Sequence, residues 1–161
     1  MTKPDAEVLT AAPLRHRLRL ELHAPVSDVW AVVGNHERLP EYSEGIERVE
    51  VESGARVCHF RPRDGVAMAL RELIRWQEPN VGYSVSADTG NDFGLREDLS
   101  IITLTSTPTG TILMWEQYYD HDDLPMMRAG FAEGLADIGR RLVERFGGHV
   151  LEQHVDGAVA G

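Results

Sequence analysis

Lysine is all but missing from these 161 residues: Lys3 is the only one, and every other basic residue is arginine. Schiff-base chemistry therefore has no amine in the body of the chain. Cysteine is as scarce. Cys58 stands alone, which excludes an intrachain disulfide and a thiolate metal cluster. No apolar run approaches the roughly 18–20 residues that a membrane span needs. The opening Met-Thr-Lys-Pro-Asp-Ala-Glu has neither the basic nor the apolar region of a signal peptide, so a cytoplasmic location is expected.

Absent too are a Gly-x-Ser-x-Gly elbow, a phosphate loop, a dinucleotide fingerprint and any clustered histidine–carboxylate motif; the seven histidines are scattered. No cofactor and no metal are expected. Positive charge is in deficit, with 16 basic residues against 26 acidic ones and a formal charge of −10. Such a surface repels phosphate backbones and anionic lipid, which argues against nucleic acid and membranes as partners. The oligomeric state is left open.

What is present reads as one domain with a polar leader and tail. Residues 1–13 form the leader and 149–161 a flexible tail. Between them, Leu14, His16, Leu18, Leu20 and Leu22 alternate with charged residues, the pattern of a half-buried strand. Pro25 opens a short helix carrying Val26, Val29, Trp30 and Val33 on one face, and a second helical piece covers 37–42. Six strands follow, at 46–53, 55–61, 66–77, 82–87, 98–106 and 111–120. They are separated by Ser-Gly, Pro-Arg-Asp-Gly, Glu-Pro-Asn and Thr-Pro-Thr-Gly turns and by a polar loop over 88–97. Short turns between consecutive strands mean an antiparallel sheet.

The last element is a long helix. Asp122 or Asp123 caps it, Pro125 lies in its first turn, and Gly147-Gly148 ends it. Met127, Phe131, Leu135, Ile138, Leu142 and Phe146 make its apolar stripe. Gly130, Gly134 and Gly139 interrupt it at a cost of roughly 1 kcal/mol each relative to alanine, which points to close packing or to room left open.

This order, with Ala24-Pro25-Val26-Ser27-Asp28-Val29-Trp30, Leu39-Pro40-Glu41-Tyr42, Arg71-Glu72-Leu73 and Gly110-Thr111 leading to Met114-Trp115-Glu116, resembles the START-like (SRPBCC) superfamily. The likeness is to its polyketide cyclase/dehydrase and lipid-transport branch, and the last segment is most similar to aromatase/cyclases. The chain departs from those at Tyr42, where tryptophan is usual, and at Cys58, where arginine is usual. The resemblance implies an α+β helix-grip fold: a curved antiparallel sheet of about seven strands wrapped round the C-terminal helix, enclosing an apolar cavity. It also implies a small hydrophobic ligand or substrate as partner.

Strand parity then sorts the residues. On 66–77 the inward set is Met68, Leu70, Glu72, Ile74 and Trp76, with Glu72 amid apolar neighbours. A buried carboxylate needs a partner, a raised pKa or water. A three-residue loop in Pro-Arg-Asp-Gly sets Phe60 opposite Met68, Cys58 opposite Leu70, and Arg56 opposite Glu72. That pair is either a structural ion pair or a polar anchor for a ligand. His16, on the apolar face of the first strand, is the best-placed general base, and Tyr83 can offer a phenol to a carbonyl. Whether Trp115 or Glu116 faces inward is open. The candidate catalytic set is Glu72, His16, Tyr83 and Arg56. The candidate lining set is Leu18, Cys58, Phe60, Met68, Leu70, Ile74, Trp115, Met127, Phe131 and Leu135. Two functions fit these residues: a cofactor-independent cyclase or dehydratase of a hydrophobic carbonyl compound, and a carrier or sensor that does no chemistry.

Overall fold

A computed structural model describes residues 12–88 and 90–156. Its elements are β1 (Leu14–Leu22), α1 (Val26–Val33), a 3-10 helix (His36–Glu41), β2 (Ile46–Glu52), β3 (Ala55–Phe60), β4 (Ala69–Glu78), β5 (Gly82–Ala87), β6 (Glu97–Thr107), β7 (Gly110–Asp120), α2 (Leu124–Phe146) and β8 (Gly148–Asp156). The strands form one antiparallel sheet in the order β2-β3-β4-β5-β6-β7-β1-β8.

The alternating leucines of β1 do what their spacing requires. His16, Leu18, Leu20 and Leu22 are buried on the concave face, where α2 lies across them. The main core joins that face to Val29, Val32 and Val33 of α1 and to Leu135, Ile138 and Leu142 of α2. Asp123 caps α2 by accepting the Met126 N–H. Gly139 is the point of closest approach, since a Cβ there would lie 3.3 Å from Leu18 and 3.4 Å from Leu20. At Gly130 and Gly134 the same test meets open space.

Three expectations need correction. Residues 149–156 of the expected tail belong to β8, which pairs with β1 as the eighth strand of the sheet. The turn into β8 needs glycine at position 148, where φ is +116° and a Cβ would sit 1.9 Å from the Glu21 carbonyl oxygen. The second helical piece is a 3-10 turn that accommodates Pro40, which has no N–H to donate.

The β3–β4 loop is a two-residue one. Asp64 and Gly65 both have positive φ (51° and 77°), and Arg63 and Val66 exchange both backbone hydrogen bonds. An extra residue below that turn restores the expected register, so Phe60 N–H bonds Met68 O and Arg56 faces Glu72. Finally, a bulge between Ile74 and Trp76 reverses the parity of β4. Ile74 faces inward opposite Val85, whereas Trp76 lies opposite Ser84, out of the main core.

Candidate active site

The inward face of the sheet carries a polar band with a side chain from each of six neighbouring strands: Arg56 (β3), Glu72 (β4), Tyr83 (β5), Asp98 (β6), Gln117 (β7) and His16 (β1). All are buried. Apolar side chains lie on both sides of the band, so each polar group must find a partner inside.

Arg56 is the hub. Its Nε donates to Glu72 Oε1 at 2.9 Å, and both side chains are almost fully buried (3% and 7% exposed). Its Nη1 donates to His36 Nδ1 at 3.0 Å and, more weakly, to Tyr83 Oη at 3.4 Å. The guanidinium also lies 5.4 Å from the centre of the Tyr83 ring. These contacts fix the state of His36. Arginine only donates, so Nδ1 accepts, and Nε2 carries the proton it gives to Gln77 Oε1 at 2.9 Å. Burial and the Arg56 charge both lower the His36 pKa, which keeps the ring neutral. Gln77 reaches this site because the bulge turns it inward beside Tyr83.

Tyr83 accepts from Arg56, which leaves its own proton free to donate; burial raises its pKa. Cys58 gives its S–H to Glu72 Oε1 at 3.4 Å, and burial pushes the thiol up to about 12, so it stays an inert thiol.

Asp98 takes the Gln117 Nε2 proton on Oδ1 at 3.0 Å and also the Ala87 N–H. Its strand and that of Glu72 are separated by β5, with Ala87 opposite Glu72. Burial first, and then repulsion by Glu72, push Asp98 up to about 7. A carboxyl with that pKa can give or take a proton near neutrality.

His16 stands at the far end of the band. Its Nε2 is 2.7 Å from Tyr119 Oη, the two rings stack at 5.4 Å, and Phe131 of α2 closes over them. Burial, and then the charge of Arg128, lower His16 to about 4, so it is a weak base. No contact joins it directly to Arg56 or Glu72 among the described residues. Trp115 faces inward in the main core; Glu116 is on the other face, where it accepts from Tyr118.

The lining candidates divide in two. Leu18, Cys58, Leu70, Trp115 and Leu135 are buried. Phe60, Met68, Ile74, Met127 and Phe131 are only half-buried although their elements turn them inward. Phe60 meets Phe93 edge-on at 4.7 Å, and with Met68 it borders a half-open pocket of about 230 Å³ beside Arg48 and Asp92. Sequence reasoning missed His36, Gln77, Asp98, Gln117 and Tyr119. Parity would have found Asp98 and Gln117, since both share a face with the core residues Ile102 and Trp115. Only the bulge reveals Gln77.

The sequence model of the family described as polyketide cyclase / dehydrase and lipid transport matches residues 15–148. The chain belongs to that family. No curated protein matches this family member by sequence. Solved structures share its fold. A START superfamily protein from Mycobacterium smegmatis is 12% identical over 83% of this chain and 97% of its own, with a TM-score of 0.68. A protein from Chromobacterium violaceum is 20% identical over 84% and 99%, also at 0.68. The di-domain ARO/CYC StfQ of the steffimycin biosynthetic pathway is 14% identical over 88% of this chain and 53% of its own, again at 0.68. No described helix is long and apolar enough to cross a membrane, and the described residues hold no cluster of three or more metal-ligating side chains.

Proposed function

We propose that this family member is a cofactor-independent cyclase or dehydratase, acting on a hydrophobic carbonyl compound held in an interior cavity. One observation carries the reading: a buried arginine, two carboxyls and a tyrosine with a free proton share one apolar sheet face. The half-buried state of Ile74, Met127 and Phe131, whose elements turn them inward, supports a space beneath α2 into which a ligand fits.

In this reading Tyr83 donates to a substrate carbonyl, and Arg56 stabilises the developing enolate oxygen through Tyr83. Glu72 takes the proton from the carbon beside the carbonyl. Asp98 returns a proton, to the new alkoxide in ring closure or to the departing hydroxyl in dehydration. His16, neutral and weakly basic, hydrogen-bonds the far end of the ligand. The cavity folds the chain of the substrate so that the reacting carbons meet.

The carrier reading is favoured by one contact. Arg56 and Glu72 satisfy each other at 2.9 Å, as a pair that only orients a ligand would. An assay with a poly-β-ketone in the presence of a chelator separates the two, the appearance of an aromatic chromophore being the readout. The enzyme turns substrate over, and Tyr83→Phe lowers turnover by about two orders of magnitude, far more than its loss of about 1 kcal/mol of stability explains. Binding without turnover in the native protein makes it a carrier. A stoichiometric metal whose removal abolishes activity would overturn the cofactor-independent mechanism.

A further inference from the structure

The family match ends at residue 148, and β8 runs on from Gly148 to Asp156. This strand covers the edge of β1 and, as the last strand of the sheet, leaves its own outer edge unpaired among the described residues. The opposite edge, β2, is blunted by charge, since Glu47, Arg48, Glu50 and Glu52 are all exposed there. On β8 there is no lysine, arginine or proline, and Val150 and Leu151 stand exposed side by side, at 46% and 40%. An edge of that kind recruits another strand.

The residues of β8 decide which strand fits. Pairing to β1 puts Gln153 and Val155 on the face of Leu18 and His16, and Glu152 and His154 on the other face with Arg19 and Arg17. A strand that joins this edge must keep those faces. A second β8, antiparallel to the first and related to it by a two-fold axis at Gln153, does so. It sets Leu151 against Val155 on one face and Glu152 against His154 on the other, each pair occurring twice. Leu151, which the bulge in β8 leaves without a partner on β1, thereby gains one. A carboxylate facing an imidazole that donates to it is a favourable cross-strand pair. Moving the axis by one residue sets like against like, Glu152 on Glu152 or His154 on His154. An axis between two residues mixes the faces. Glu152 and His154 already touch within one strand, so the two-fold at Gln153 closes a ring of alternating carboxylates and imidazoles.

We propose that β8 is a self-association surface: two copies of this chain pair antiparallel through their β8 edges about Gln153 and join their sheets into one. Such pairing in no way depends on whether the interior turns a substrate over.

Sedimentation equilibrium of the full chain tests it. A monomer–dimer equilibrium with a Kd of about 10–100 μM is expected, at the weak end of the range because two short edges bury little surface. His154→Glu sets carboxylate against carboxylate at both pairs and should weaken the dimer at least about tenfold. Adding Glu152→His to it restores unlike pairs and should recover the dimer. The register is read by cross-linking, which the buried Cys58 does not disturb. Gln153→Cys should form a disulfide-linked dimer on mild oxidation and Leu151→Cys should not, because the Cα atoms of facing residues lie about 5 Å apart and those of the two 151 positions about 14 Å. A monomer up to about 1 mM, ten times the weakest expected Kd, would overturn the assignment. So would a dimer that His154→Glu leaves at full strength, or cross-linking of Leu151→Cys without that of Gln153→Cys.

Discussion

The two buried histidines stand at opposite ends of one polar band and are kept neutral by different means. At the β3–β4 end, His36 is held in one tautomer by Arg56 on one nitrogen and Gln77 on the other. At the β1–β7 end, His16 has a single polar partner among the described residues, Tyr119, and owes its low pKa chiefly to burial. The first end is an electrostatic network whose members depend on one another; the second is a packed aromatic cluster with one hydrogen bond. Damage should spread at the first and stay local at the second.

The largest effect should come from Glu72→Gln. It leaves the buried Arg56 without its counter-charge, and chemical denaturation should show a loss of about 3–5 kcal/mol. Replacing the pair together, as Arg56→Met with Glu72→Leu, should recover much of that. A loss below about 1 kcal/mol for the single change would mean that the network does not hold this end together.

Acid sensitivity comes next. A histidine lowered to about 4 in the fold, from 6.5 free, contributes stability that is complete above pH 6.5 and lost as pH falls towards 4. Asp98, raised to about 7 from 3.8, works the other way: its native proton stabilises fully below pH 3.8, and the effect is lost as pH rises towards 7. Between pH 4 and 6.5 the two oppose each other. Asp98→Asn should therefore expose the histidine term, and stability should drop by about 3 kcal/mol from pH 6.5 to 4 where the native protein changes less. Equal slopes for the two proteins would contradict the assignment.

Tyr119→Phe should cost about 1 kcal/mol, one buried hydrogen bond, in chemical denaturation. Smallest is the contrast along α2. Gly134→Ala should stabilise by up to about 1 kcal/mol, since its added methyl meets nothing. Gly139→Ala should gain less or lose, because it presses on Leu18 and Leu20. Urea midpoints of the two variants would rank them.

Much of this was legible in the sequence, because its determinants are local. Leucines at every second position dictated the face of β1. Arg56 faces Glu72 as expected, but by another route, because the loop has two residues and an extra residue below it restores the register. Gln77 was hidden because a bulge has no residue signature here; parity read through Arg75 puts Trp76 inside. β8 was hidden for another reason. His-Val-Leu-Glu-Gln-His-Val offers no clean apolar face, and the segment is held by backbone pairing to β1 and by Gln153 donating to the Ala132 carbonyl. Its partners are distant in the chain, and a local window does not see them.

Those distant partners also set an order of events. β1 is among the first described segments to leave the ribosome, yet its two neighbours in the sheet are β7 and β8, roughly 100 and 130 residues later. Until residue 156 has emerged, a face of leucines has a free edge and no finished sheet to join. The domain closes like a clasp, with its early and late strands side by side. It should therefore fold as one unit once residue 156 has emerged, and a nascent chain that stops in α2 should be a target for chaperones.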